Sequence, residues 1–339
     1  MKKIAFVDFG SRFNPEESFI LDYIKDSVDY EITEMKDADY VIYSVLGNEH
    51  WFAPDHSIKI FYTIENLAPD FNACDYAIGF EWMQFENRYM RFPLYYWYPR
   101  INELMENKHH LSIEKIKQEK TRFCDITVSN TNRAPIYKQL FESLSKYKQV
   151  DSGGAWNNNM GEKVKDKLAF NGMHKFSIVC ENSAHSGYTT EKIVEAFAAN
   201  CIPIYWGDPS VARVFNPKAF INVSDFSSVE EVVEYVKKVD MDDKLYESML
   251  REPVLTDSCY SKRNQSALMK EFLLSIFSQP LPCARRRNRI VSGELYINER
   301  RKQVRSLSFR LNEKYHQIVW QTKVRLRRIY WFLKTFIRK

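Results

Sequence analysis

The chain has 339 residues, 45% of them hydrophobic and 15% aromatic, enough apolar material for two α/β domains and too much for intrinsic disorder. Its net charge of +5 is unevenly held: residues 285–339 carry 17 Lys and Arg against 3 Asp and Glu, whereas the preceding 284 residues carry 32 against 41. An acidic body with a basic end argues against a nucleic-acid enzyme, whose cations would surround the site itself, so no nucleic-acid partner is expected.

In chain order, β-branched and aromatic runs at 4–7, 40–45, 58–64 and 75–80 predict strands. Between the first two, Pro15, Glu16 and Glu17 precede Phe19, Ile20, Tyr23 and Ile24, the spacing of a helix with acidic residues in its first turn. Residues 102–120 are polar, charged and poor in glycine, which suits a helical excursion or a long surface connection. A second set opens with the strand FCDITVSN (123–130), then helical spacing over 135–147 at Ile136, Leu140 and Leu144, then a glycine-bearing linker over 150–161. The strand FSIVCEN (176–182), a helix over 190–200 and the strand IPIYWG (202–207) complete a short β–α–β unit. This alternation predicts parallel sheets covered by helices. It divides the chain into an α/β domain at 1–121, a second at 122–284 and a basic tail at 285–339.

The six cysteines lie far apart, without the close pairs of zinc or redox sites, and read as reduced, mostly buried thiols. The first apolar run is four residues long, too short for a signal peptide or a spanning helix, which predicts a cytoplasmic protein. The glycine fingerprint of nicotinamide-binding domains and the P-loop are both absent from the sequence.

The segment ENSAHSGYTTEK (181–192) runs from a strand end through a Ser/Gly loop into a helix capped at Thr189 or Thr190. In an open α/β sheet this is a ligand crevice, and the free N–H groups of the helix start suit an anion such as a nucleotide diphosphate. Lys192 would offer positive charge to a leaving pyrophosphate, and Glu191 would accept hydrogen bonds from ribose hydroxyls. In isolation Thr190-Glu191-Lys192 reads as a helix-start acid beside a solvated lysine.

The surrounding span decides between these. Residues 175–226, with ENS, YTTEK, IPIYWG and FNPKAFI in order, resemble the donor-binding block of the bacterial α-1,3/4-fucosyltransferases, glycosyltransferase family ten. Cys180 stands where that family has an aromatic residue, and Ala219 where it often has serine. The resemblance implies a GT-B-type fold, two Rossmann-like α/β domains facing across a cleft. It also implies that Asn182, Tyr188, Glu191 and Lys192 hold GDP-fucose, with an N-acetyllactosamine- or lactose-type acceptor. No cofactor and no metal ion is expected to be required, since a helix mouth and a lysine can neutralise pyrophosphate.

Transfer from the β-linked donor to an α-linked product is an inversion, so one general base must take the acceptor proton. Glu65, in YTIEN at the end of the strand over 58–64, matches the family's Y-T-x-E-N segment, which is followed here by DYAIGF. The resemblance assigns it that role. Family members also carry a diphosphate-facing arginine seven residues before the position of Leu144; here that position is Tyr137, and the nearby arginine is Arg133. Arg133 either reaches the same pocket from one turn away or is a solvated surface arginine.

Weaker signals read as structure. Asp37 with Asp39 and Asp240 with Asp242 are D-x-D pairs in charged stretches, His109 and His110 lack metal-ligand spacing, and His185 is a loop histidine. The aromatic run Trp82, Tyr95, Tyr96 and Trp97 would serve a sugar platform or core packing equally. From Arg325, apolar Leu326, Ile329, Tyr330, Leu333, Phe336 and Ile337 form one helical stripe with basic residues opposite. Such a helix either binds an anionic membrane surface, placing the protein peripherally on the inner face, or packs on the body.

Overall fold

The computed structural model describes residues 1–107, 112–129, 135–287, 290–306, 308–316 and 318–322. The first sheet holds β1 (Lys2–Val7), β2 (Tyr30–Ile32), β3 (Tyr40–Tyr43), β4 (Ile58–Tyr62), β5 (Tyr76–Gly79) and β6 (Tyr89–Arg91), in the order β2-β1-β3-β4-β5-β6. The second holds β7 (Arg122–Ile126), β8 (Val150–Ser152), β9 (His174–Cys180), β10 (Ile202–Trp206) and β11 (Ile221–Asn222), in the order β11-β10-β9-β7-β8. Every pairing is parallel, with Ile4 opposite Tyr40 in the first sheet and Ile204 opposite Ile178 in the second. Parallel strands are covered on both faces, and β3 and β4 are accordingly buried along their whole length.

The α-helices used below are α1 (Phe19–Ile24), α2 (Pro99–Glu106), α3 (Ile113–Glu119), α4 (Ile136–Ser145), α5 (Lys167–Gly172), α6 (Glu191–Ala198), α7 (Val229–Met241), α8 (Asp243–Arg251), α9 (Lys262–Phe277), α10 (Leu281–Ala284) and α11 (Val291–Arg305), with further helical residues at 308–316 and 318–322. Packing of α2 against α6, and of α9 against α1, ties the two halves together. The largest apolar cluster therefore spans them, joining Ile4, Tyr40 and Ile60 of the first sheet to Ile193 and Phe197 of α6 and to Met269 and Phe277 of α9. A separate core fills the second sheet around Ile126, Ile178, Ile204 and Val236.

Several predicted elements end sooner than their composition implies. The strand over 58–64 stops at Tyr62, because the Thr63 hydroxyl accepts the Glu65 N–H (3.0 Å) and turns the chain. The helix predicted from Pro15 is a 3-10 turn capped by Asn14, separated from α1 by the extended Ser18. The linker over 150–161 opens with the edge strand β8.

The basic end is not a detached object along its whole length. Asp75 is fully buried and accepts the N–H groups of Arg286 and Arg287 (2.7 Å each) and the Arg287 guanidinium. In α11, Tyr296 donates to Asp70 (2.6 Å), while Arg301 donates to the Trp51 carbonyl (2.7 Å) and pairs with Asp55 (2.9 Å). A buried carboxylate must be paired, and the chain after 284 supplies the pairing to the first sheet. The predicted amphipathic stripe, 326–337, lies outside the described residues. Among the described residues no helix is long and apolar enough to cross a membrane.

Candidate active site

The site is built at the ends of β4, β5, β9 and β10. Beyond β9, Glu181 is fully buried and its N–H donates to the Trp206 carbonyl (2.8 Å), so the carboxylate is held between strand ends. It accepts the Thr190 N–H (2.8 Å), the Thr190 hydroxyl (2.7 Å) and the Lys192 ammonium (2.7 Å). Thr190 is the extended N-cap residue of α6, so the carboxylate is held beside the helix start.

Lys192 therefore has a protein partner as well as a place in the cleft. Burial disfavours its charge, but Glu181 and Glu191 outweigh this and hold its pKa above the ordinary lysine value. With Glu181 and Thr190 taking two of its three N–H groups, one remains for a ligand, and the side chain stays 20% exposed. Tyr188 is buried with its ring edge-on to Phe80 at 5.1 Å. Its hydroxyl is pushed up to about 12, first by burial and then by Glu181, with Lys192 opposing and Glu65 and Glu191 adding to the rise. It stays protonated at neutral pH and can donate.

Glu65 and Glu191 both lie near enough to Tyr188 to raise its hydroxyl. Glu65 is exposed in the turn after β4, and the next residue, Asn66, donates to the Ser183 hydroxyl across the cleft (2.7 Å). Asn182 is partly exposed between Glu181 and Ser183. Glu191 opens α6 beside Tyr98, whose hydroxyl is raised by burial and then by Glu191. The structure thus gathers Glu65, Asn182, Tyr188, Glu191 and Lys192. Arg133 lies outside the described residues. Tyr137, at the alternative position, is buried and donates its hydroxyl to the Cys180 carbonyl, a core role.

A second group, which sequence reasoning missed, clamps the donor loop to the first domain. Trp82 is sandwiched by the guanidinium groups of Arg91 and Arg213, each 3.8 Å from its ring, and donates to the Ser210 hydroxyl (2.8 Å). Buried Asp208 accepts the Gly187 N–H and the Thr189 hydroxyl, both at 2.8 Å. Gly187 has φ +85°, and a Cβ there would lie 2.5 Å from the Phe80 carbonyl oxygen, so the loop approaches the first domain as only glycine permits. His185 is used here too, bonded to Glu81 at 2.9 Å. The one available signal was a carboxylate directly after each of two strands, at Glu181 and at Asp208 beyond Gly207.

The set-aside residues have structural duties. Trp97 stacks on Tyr62 at 4.9 Å, and Tyr95 and Tyr96 are buried, so the aromatic run serves packing and the clamp. Asp39 accepts the Lys3 N–H (3.2 Å), Asp242 caps α8, and Asp240 binds Lys148 and Lys175. His109 and His110 lie outside the described residues. Of the cysteines, Cys74, Cys124, Cys180 and Cys201 are buried thiols and Cys259 and Cys283 are exposed.

Two parallel-sheet domains meeting at the carboxyl ends of their strands, with a charged helix mouth on one side and a carboxylate turn on the other, form the GT-B-like architecture of nucleotide-sugar transferases. Residues 4–98 match the α-(1,3)-fucosyltransferase FucT N-terminal domain, and residues 117–252 match the glycosyltransferase family 10 (fucosyltransferase) C-terminal region. The chain belongs to that family. An α-(1,3)-fucosyltransferase of Helicobacter pylori is 37% identical over 225 residues, covering 57% of this chain and 46% of that protein. A putative fucosyltransferase of Acanthamoeba polyphaga mimivirus is 32% identical over 178 residues, covering 49% and 29%. The matched part of the chain thus spans less than half of either relative's length. A crystal structure of α1,3-fucosyltransferase with GDP-fucose superposes with a TM-score of 0.63 at 29% identity, covering 80% of this chain and 90% of that one. Another, with GDP, gives 0.67 at 28% identity, covering 82% and 90%.

Proposed function

We propose that this protein is an inverting α-1,3-fucosyltransferase that moves L-fucose from GDP-fucose to O3, or O4, of GlcNAc in an N-acetyllactosamine-type acceptor. The observation that carries this reading is the Asn66–Ser183 bond, which sets the Glu65 turn against the loop that presents Tyr188 and Lys192. The resemblance of the chain to a structure holding GDP-fucose supports the donor.

In this reading the diphosphate lies at the start of α6, where N–H groups, the remaining Lys192 donor and the Tyr188 hydroxyl receive the charge that builds as the glycosidic bond breaks. Glu191 and Asn182 hold the nucleoside side. Glu65 takes the proton of the attacking hydroxyl, on the face of the sugar opposite the departing diphosphate. No metal ion is needed for these steps.

Incubation with labelled GDP-fucose, GDP-mannose and UDP-sugars over a panel of lactose, type 1 and type 2 chains, read by linkage analysis, tests this. Turnover of a different nucleotide sugar alone would replace the donor assignment. Acceptor binding without any turnover would leave a glycan-binding protein instead. Peripheral attachment to an anionic leaflet through 323–339 belongs to the same proposal. A truncation after residue 322 keeps Arg301 and the docked α11, and it should abolish co-sedimentation with anionic liposomes while preserving transfer.

A further inference from the structure

At the other end of β4 from Glu65 lies a second concentration of charge. Lys59 is the second residue of β4, 2% exposed, and points to the sheet face opposite Ile58 and Ile60. Two of the acids around it are already engaged: Asp75 by Arg287 and by backbone N–H groups that include that of Lys59 itself (2.7 Å), and Asp55 by Arg301. Among the described residues the Lys59 ammonium has no hydrogen-bond or ion-pair partner. It faces a cavity of about 280 Å³ whose wall also holds Arg285, Arg287, Arg301, Asn72 and Asn298, with Asp55 and Glu294 as its acids.

We propose that this cavity is a binding site for a phosphate-type oxyanion, held between Lys59 on the sheet and the arginines that dock the segment after residue 284. The cationic lining suits an oxyanion with several acceptor oxygens. Arg301 uses Nε and Nη2 on Trp51, Ala53 and Asp55, which leaves Nη1, while the Lys59 ammonium and the Asn72 amide approach from the sheet side. Without a ligand, burial and the neighbouring Arg287 and Arg301 push Lys59 down to about 7, so a bound anion would restore the charge that the pocket now suppresses. The ligand would join β4 to α11, and it concerns attachment of the basic segment rather than the transfer chemistry. The source is either free phosphate or the headgroup of a phospholipid monoester.

The full chain is titrated with inorganic phosphate against sodium chloride at equal ionic strength, reading the melting temperature, and in parallel with phosphatidic acid vesicles against phosphatidylcholine vesicles. Lys59→Met and Asn72→Asp are compared with the parent; Asn72 is exposed, so the second variant keeps the test alive should the first not fold. Any phosphate taken up elsewhere, at the α6 mouth included, is common to all three, and the difference reports this cavity alone. The expected result is a rise of several degrees at millimolar phosphate in the parent, lost in Lys59→Met and shifted about tenfold in concentration in Asn72→Asp. A differential response to phosphate identifies a free anion, and one to vesicles alone identifies a headgroup. Identical behaviour of parent and variants in both arms overturns the proposal.

Discussion

Two buried carboxylates, Glu181 and Asp75, hold this molecule together in similar ways and to opposite ends. Both are fully buried, both accept backbone N–H groups, and both pair with one cation. The partner of Glu181 is Lys192, eleven residues on, and it remains 20% exposed to the cleft; the partner of Asp75 is Arg287, from the far end of the chain, and it is 5% exposed. A short-range pair with an open cation orders a strand–loop–helix turn and leaves charge for a ligand. A long-range pair with a closed cation fastens a segment to the sheet. The surrounding topology, rather than the pair itself, decides which becomes chemistry.

The contrast can be broken most forcefully from across the cleft. Glu65→Gln should lower kcat by about 10²–10⁴-fold while GDP-fucose binding, measured calorimetrically, is kept. Near-normal turnover would remove Glu65 from the mechanism. Next in size, Asp75→Asn should destabilise the fold by about 3–5 kcal/mol, because it strands the Arg287 charge, yet leave KM for the donor unchanged in the folded fraction. Denaturant titration with kinetics on the same sample separates the two effects.

Lys192→Arg sharpens the other side. It keeps the charge that Glu181 needs but cannot keep the compact ammonium geometry, so KM for GDP-fucose should rise about tenfold with little loss of stability. An equal loss in the melting temperature would make Lys192 structural only.

The smallest effect is a pH slope. Lys59 titrates at about 7 when folded and near 10.5 when unfolded, among Asp55, Asp75, Glu294, Arg285, Arg287 and Arg301. Between those values the unfolded chain binds the extra proton, so its contribution makes stability rise with pH from about 7 toward 10.5 and fall as pH drops through 7. The slope is at most about 1.4 kcal/mol per pH unit, and Lys59→Met should flatten it in urea titrations across that window.

The chain's order of elements was legible because parallel strands buried on both faces leave dense apolar runs, as at 40–43, 58–62 and 202–206. Edge strands escaped for the same reason inverted: β2, β6 and β11 are two or three residues long and only partly buried, too short to show a period. Glu191 and Lys192 could be read as site candidates from the strand–loop–helix segment alone, whereas Tyr188 and the role of Glu65 rested on the resemblance to the family. Glu181 and Asp208 could not, since their partners depend on how the loop after β9 folds back.

What the sequence by itself determined is therefore local: which segments are strands, where a helix mouth follows one of them, and that a carboxylate turn ends another. Only the tertiary structure decided that Asn66 meets Ser183, that Trp82 lies between two arginines, and that the first part of the basic end docks on Asp75 rather than standing free. Apolar periodicity and turn chemistry act over a few residues and are written in order along the chain. The pairing of a buried charge acts across hundreds of residues, and its partner is chosen by whichever surface the fold brings within reach.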